Sequence, residues 1–225
     1  PSSYLRRLLA ALAAAILAVT PTLWSQAVMA EVYGLQILLV VLTLTLVLAW
    51  GQRRLSGGTE DPIARRFLLG AAFCFGLGLA HHATTLLLAP GIGAYVWWVD
   101  RDTFRDWKRV LLPAALWAAL PLLLYAYIPW RAPHTPYLQQ TLTANRELVL
   151  YETNLTNLFR FIAGGPFGGY LDFSVDLGAR LQMAWGFLLA EVGWPGVLLA
   201  GVGLLGLMLS RRWALLALTG VTYGA

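Results

Sequence analysis

Runs of twenty or more residues without one charge recur along this chain, and they leave few folds open to it. Leu8 to Ala30 carries no acidic or basic side chain, and neither do Val32 to Gly51 or Val110 to Trp130. A helix needs about 20 apolar residues to cross the hydrocarbon core of a bilayer, where only helices and closed barrels satisfy their own backbone. Each run is long enough. From Leu181 to Ser210 the one charge is Glu191, and a last run starts at Trp213. Hydrophobic residues make up 59% of the 225 and charged residues 12%, against roughly 25% charged in soluble domains. The expected fold is all-α: a polytopic transmembrane helical bundle of about six spans plus a truncated seventh, forming one domain over residues 1–225.

One stretch is too long for a single crossing. Phe67 to Val99 is 33 residues without an acidic or basic side chain, and His81-His82 interrupts it near the middle. Basic residues decide between one helix and two, because they gather on the cytoplasmic side of a membrane protein. With a hairpin at the histidines, Arg6, Arg7, Arg53, Arg54, Arg65, Arg66, Arg101, Arg105, Lys108, Arg109, Arg211 and Arg212 share one side. Arg131, Arg146, Arg160 and Arg180 fall opposite, a split of 12 to 4 that a single helix would weaken to 10 to 6. The hairpin is therefore expected, with the 12-residue side cytoplasmic. Its first arm, Phe67 to Ala80, spans only about 21 Å at ~1.5 Å per residue. Against a core of ~30 Å this favours histidines sunk in a funnel open to the outer side. The net charge of +5 belongs to this orientation and not to nucleic-acid binding.

Punctuation divides the rest. Thr20-Pro21 weakens the first span, since proline removes a helical hydrogen bond. Gln52 to Arg66 reads as an inner loop, and Trp97 and Trp98 as interfacial anchors. An outer loop covers residues 131–180, too long for a mere connection. Within it Leu148, Tyr151, Leu155, Leu158 and Ile162 recur at helical spacing, which predicts an amphipathic helix on the membrane surface. Gly164 to Gly169 reads as a mobile connector. Cys74 is the single cysteine, so no intrachain disulfide forms and a packing role is expected. Both termini read as cuts through a longer polypeptide.

With this topology the unusual polar residues collect at the outer face. Glu31, His81, His82 and Arg131 come from three parts of the chain, and an acid, a base and a cation at a membrane-embedded concavity form the layout of a site. Each has a plainer reading. Glu31 also fits a solvated charge at a helix N-terminus, and Arg131 an anchor reaching headgroups. The histidines also fit a polar turn satisfied by Thr84, Thr85 and backbone. Trp24, Tyr127 and Trp130 fit interface aromatics as well as a sugar platform. Adjacent helical residues point about 100° apart, so the histidine pair makes a weak metal site. No metal ligand and no cofactor are assigned, and a divalent ion stays open.

Three motifs carry a resemblance. Trp24-Ser25-Gln26-Ala27-Val28 precedes Glu31-Val32-Tyr33. Gly76-Leu77-Gly78-Leu79-Ala80-His81-His82 leads to Leu88-Ala89-Pro90-Gly91. Tyr125-Ala126-Tyr127-Ile128-Pro129-Trp130-Arg131-Ala132 follows. In this order the chain resembles bacterial multi-spanning proteins related to the animal transmembrane protein O-mannosyltransferase that modifies plexin-type receptors, over most of residues 1–170. A tryptophan-glycine-aspartate-proline element expected after Arg131 is not evident. The resemblance implies a glycosyltransferase of the GT-C architecture. Its donor would be a polyprenyl-phosphate-linked sugar in the bilayer, and its acceptor a hydroxyl of a protein or glycan on the non-cytoplasmic side.

The family's principal acid, in the first outer loop, would precede Pro1, so the resemblance also implies that residues 1–225 alone are inactive. Glu31 matches a second acidic motif. On this reading Glu31, His81 and His82 are the catalytic candidates. Arg131, Trp24, Gln26, Tyr33, Tyr127 and Trp130 would bind substrate, with Arg131 on the phosphate. The expected location is a bacterial inner membrane, crossed several times. A transporter or lipid-handling protein without chemistry is the alternative, because broken helices with polar residues at membrane depth also serve transport.

Overall fold

The computed structural model describes residues 3–28, 33–57, 61–135, 139–143, 146–149, 151, 154–162 and 176–224. In chain order the helices are α1 (Ser3–Ala18), α2 (Pro21–Val28), α3 (Tyr33–Gly57), α4 (Pro62–His81), α5 (Leu88–Val99), α6 (Asp102–Arg105), α7 (Leu111–Ala119), α8 (Tyr127–Arg131), α9 (Leu155–Ile162), α10 (Leu177–Leu209) and α11 (Trp213–Gly224). Two strands, β1 (Gln139–Thr143) and β2 (Arg146–Val149), pair antiparallel between α8 and α9. Among the described residues, four helical stretches are long and apolar enough to cross a membrane: Tyr33–Gly57, Pro62–His81, Leu111–His134 and Leu177–Leu209. Ala83–Val99 and Trp213–Thr222 are shorter apolar helices. The first apolar run is divided by Thr20-Pro21 into α1 and α2, as proline there predicts.

Contacts sort the chain into two compact units. One comprises Pro1–Ile37 and Phe173–Leu216, and the other Leu38–Asp172 and Ala217–Ala225. In the first unit α10 is broken at Gly193, whose φ of 61° and ψ of −179° lie outside the helical region. Only glycine adopts that backbone cheaply, and Pro195 two residues on contributes no N–H to the ladder. Glu191 stands just before the break. Its carboxylate accepts the Thr22 backbone N–H at 3.2 Å and also the Thr22 hydroxyl. An acid at the first turn of α2 satisfies a helix-terminal N–H that would otherwise lack a partner.

The second unit is built on α4. Asp61 caps its N-terminus by accepting the Ile63 N–H at 2.8 Å, and Pro62 occupies the first turn, where a missing N–H costs nothing. The helix ends at His81, because His82 is extended (φ −152°, ψ 126°). A 3-10 turn, Ala83–Leu87, then leads into α5. The hairpin at the histidines is thus present, and charged contacts fix its sense. Arg54 near the end of α3 pairs with Asp100, which caps the end of α5, and Arg53 lies 3.7 Å from Asp61. Both arms therefore begin and end beside α3's C-terminus, and the histidine turn is at the other end.

Two expectations need correction. The first arm is not a 14-residue helix, since α4 starts at Pro62 and its 20 residues reach about 30 Å. A helix of that length matches a ~30 Å core and so does not by itself sink the turn; Asp61 and Pro62 start the helix five residues before the apolar run. The helix expected across Leu148 to Ile162 is confined to Leu155–Ile162. Leu148 lies in β2 opposite Gln140, and Tyr151 is buried outside any helix. Strand pairing overrides helical spacing there. Asn154 then starts α9 by accepting the Asn157 N–H at 2.7 Å. The Gly164–Gly169 connector lies outside the described residues.

Candidate functional site

The histidine turn is assembled by close backbone approach. Thr85 is buried and folds back on α4, where a Cβ on Gly78 would stand 2.9 Å from its Cγ2 and Oγ1. Glycine at 78 is what lets the turn close. The His82 N–H donates to the Gly78 carbonyl at 2.7 Å, and the Thr85 N–H to the His82 carbonyl at 3.1 Å. Leu79, in the last turn of α4, is one of the carbonyls a helix end leaves without an intrahelical donor. The Tyr125 hydroxyl donates to it at 2.8 Å.

This contact places the third motif. Tyr125 brings the far end of the Leu111–Ala126 stretch to the last turn of α4, so α8 leaves from the histidine end of the unit. On α8 the rings of Tyr127 and Trp130 meet edge-on with centroids 5.7 Å apart. Both are largely exposed, and so is Arg131 beside them. The structure thus gathers His81, His82, Tyr127, Trp130 and Arg131 at one end of one unit.

The chemistry of His82 follows from its hydrogen bonds. Its Nδ1 accepts the Thr84 N–H at 3.3 Å and lies 2.8 Å from the Thr84 hydroxyl. An Nδ1 that accepts carries no proton, so in the neutral ring the proton is on Nε2. Nε2 is then a hydrogen-bond donor held in fixed orientation by the next turn. The reading of the pair as a locally satisfied polar turn holds for His82, and it is compatible with a role for Nε2.

The other site residues belong to the first unit. Gln26 and Thr22 are four residues apart on α2, hence on one face, and Gln26 Oε1 is buried with no hydrogen-bond partner among the described residues. Trp24 is exposed, and Tyr33 opens α3. Glu31 lies outside the described residues. The pairing of Thr22 with Glu191 was only partly visible in sequence: Glu191 stood out as a lone charge, but nothing linked it to Thr22. Among the described residues no cluster of three or more His, Cys, Asp or Glu forms a metal site.

Long apolar helices define the class: an α-helical membrane protein. Residues 2–105 match the family described as the N-terminal domain of the protein O-mannosyl-transferase TMEM260, so just under half of the chain is similar to a transferase domain. That interval includes the histidine turn. No curated protein and no solved structure matches the chain.

Proposed function

We propose that this chain forms membrane-embedded machinery of a GT-C-type glycosyltransferase, moving a sugar from a polyprenyl-phosphate donor to a hydroxyl of an acceptor protein or glycan. The observation that carries the reading is the match of residues 2–105 to a protein O-mannosyl-transferase domain, with the histidine turn inside it. By that likeness the sugar is mannose. The 12-to-4 division of basic residues supports an orientation with the histidine end on the non-cytoplasmic side.

In the transfer, the bond between anomeric carbon and phosphate oxygen breaks, and a bond from the acceptor oxygen to that carbon forms. The acceptor proton goes to a carboxylate, the role proposed for Glu31 or for an acid elsewhere in the full protein. Charge collects on the departing phosphate. Arg131 suits it through paired guanidinium N–H groups, and His82 Nε2–H adds a directed donor. His81 stands beside it as a second imidazole. The exposed Tyr127–Trp130 pair suits a sugar or isoprenoid face. Trp24, Gln26 and Tyr33 stay in the proposal as substrate-binding residues of the first unit.

The test supplies purified full-length protein with radiolabelled polyprenyl-phosphate mannose and a hydroxyl-bearing acceptor peptide. Labelled peptide that disappears in Arg131→Gln supports the reading. Labelled donor crossing or collecting in proteoliposomes without any product would replace it with lipid transport.

A further inference from the structure

Two cavities in the second unit share a wall, a polar one at the end opposite the histidines and an apolar one among the helices beside it. One, of about 360 Å³, is lined by Arg54, Asp61, Arg65, Asp106 and Arg109 around Trp50. The other, of about 370 Å³, is bounded by α3, α4, α5 and α7 and is almost wholly apolar. Leu68 lines both. Each lies within the ~300–1,000 Å³ range of small-molecule sites.

From this pairing we infer a binding site for a phosphate-bearing lipid, with its headgroup on Arg65 and Arg109 and its chain between α4 and α7. It is independent of the transfer proposed above and lies at the other end of α4.

Charge supports the headgroup position. Three arginines face two aspartates in the polar cavity. Arg54 is taken up by Asp100, while Asp61 caps α4 and lies near Arg53. Arg65 and Arg109 form no ion pair among the described residues, and both are exposed at the rim. Asp106 shares that rim and disfavours a second anionic group. Basic pockets between transmembrane helices are suited to phosphate headgroups.

Helix geometry supports the chain position. Arg65, Leu68, Ala72 and Phe75 follow one another at three- and four-residue steps, so one face of α4 leads from guanidinium to apolar wall. On α7, Ala114, Ala115 and Ala118 supply small side chains that leave the space. At its far end the groove stops where α4 and α7 touch: a Cβ on Gly76 would collide with the Ala118 carbonyl. From Arg65 to Phe75 is about 15 Å at ~1.5 Å per residue. A free phosphate would use only the polar cavity, whereas a lipid fills both.

The test titrates purified protein in detergent with phosphatidylglycerol, phosphatidylcholine of the same chains, and glycerol phosphate, reading bound lipid by native mass spectrometry and thermal midpoint. Phosphatidylglycerol should bind about tenfold more tightly than phosphatidylcholine, and glycerol phosphate should not shift the midpoint. The Arg65→Gln/Arg109→Gln pair should abolish that preference, while Arg101→Gln, at the same end but outside the cavity, should keep it. Ala115→Phe, or the milder Ala72→Leu, should weaken both lipids. Equal binding of the two lipids, a preference that survives the double variant, or an equal loss in Arg101→Gln overturns the site. A response to glycerol phosphate matching the lipid's overturns the lipid as occupant.

Discussion

The Tyr125 hydroxyl donates to the Leu79 carbonyl at 2.8 Å, tying two segments 46 residues apart at the last turn before the histidines. Leu79 gains a partner it would otherwise lack, and the tyrosine ring fixes where α8 begins. Position and stability thus depend on one side chain.

Tyr125→Phe keeps the ring and deletes the bond. A net loss of about 1 kcal/mol is expected, read as a lower thermal midpoint in detergent. If transfer depends on this alignment, turnover with labelled donor should fall more than donor binding does. A variant with unchanged midpoint and turnover would show that the bond positions nothing.

His82 has a capping role and a proposed chemical one, and two substitutions separate them. His82→Ala loses the side-chain cap on Thr84 and should cost about 1 kcal/mol. His82→Asn restores a short acceptor and should recover most of that stability. Transfer should remain lost in both, because neither retains Nε2–H. Full activity in the asparagine variant would reduce His82 to a cap.

Asp100 sets a pH dependence. Burial works to raise its pKa, but the hydrogen bonds from Arg54 and Thr103, the Arg54 charge and the Asp102 N–H together hold it below its ordinary 3.8. A carboxylate with a lowered folded pKa stabilises the fold above its unfolded value and loses that contribution as pH falls through the folded one. The thermal midpoint should therefore drop below about pH 4. Asp100→Asn should flatten this part of the profile. An undiminished acid slope in that variant would assign it to other groups.

Arg54→Ala leaves Asp100 without its cation in a site where both side chains are 11% exposed. Removing one partner of such a pair costs about 3 kcal/mol, far more than an exposed pair. Arg105→Ala, whose bond to Asp102 is solvent-exposed, should change the midpoint little. Equal effects of the two would contradict the burial difference.

Gly76 lies against the Ala118 carbonyl, so Gly76→Leu forces α4 and α7 apart. Overpacking of this kind costs about 1–3 kcal/mol. Gly70→Ala, where the added Cβ would stand 3.5 Å from Leu46, meets only ordinary contact and should be tolerated. Comparable midpoints for the two variants would exclude a tight helix seam.

Much of this was legible in the residues. Charge-free runs specify membrane helices because a bilayer leaves the backbone no other partner, and that requirement is local to each run. The break at His81-His82 followed from the balance of arginines, a sum over the whole chain that needs no coordinates. The strand at Leu148 was not legible, since its spacing also fits a helix and only pairing with Gln140 decides. The start of α4 at Pro62 was not legible in the charge pattern, because Arg65 and Arg66 end the apolar run while Asp61 and Pro62 carry the helix five residues further.

By itself the sequence determined that the chain is helical, that it belongs in a membrane, and where its polar residues interrupt it. Those properties follow from hydrophobicity and charge counted along one dimension. Only the tertiary structure decided that Tyr125 meets Leu79, that Glu191 meets Thr22, and that Arg65 and Arg109 line one cavity that adjoins an apolar one at Leu68. Such contacts join residues dozens to more than a hundred positions apart. They depend on helix packing and on which glycines permit close approach, and no local pattern encodes the resulting distance.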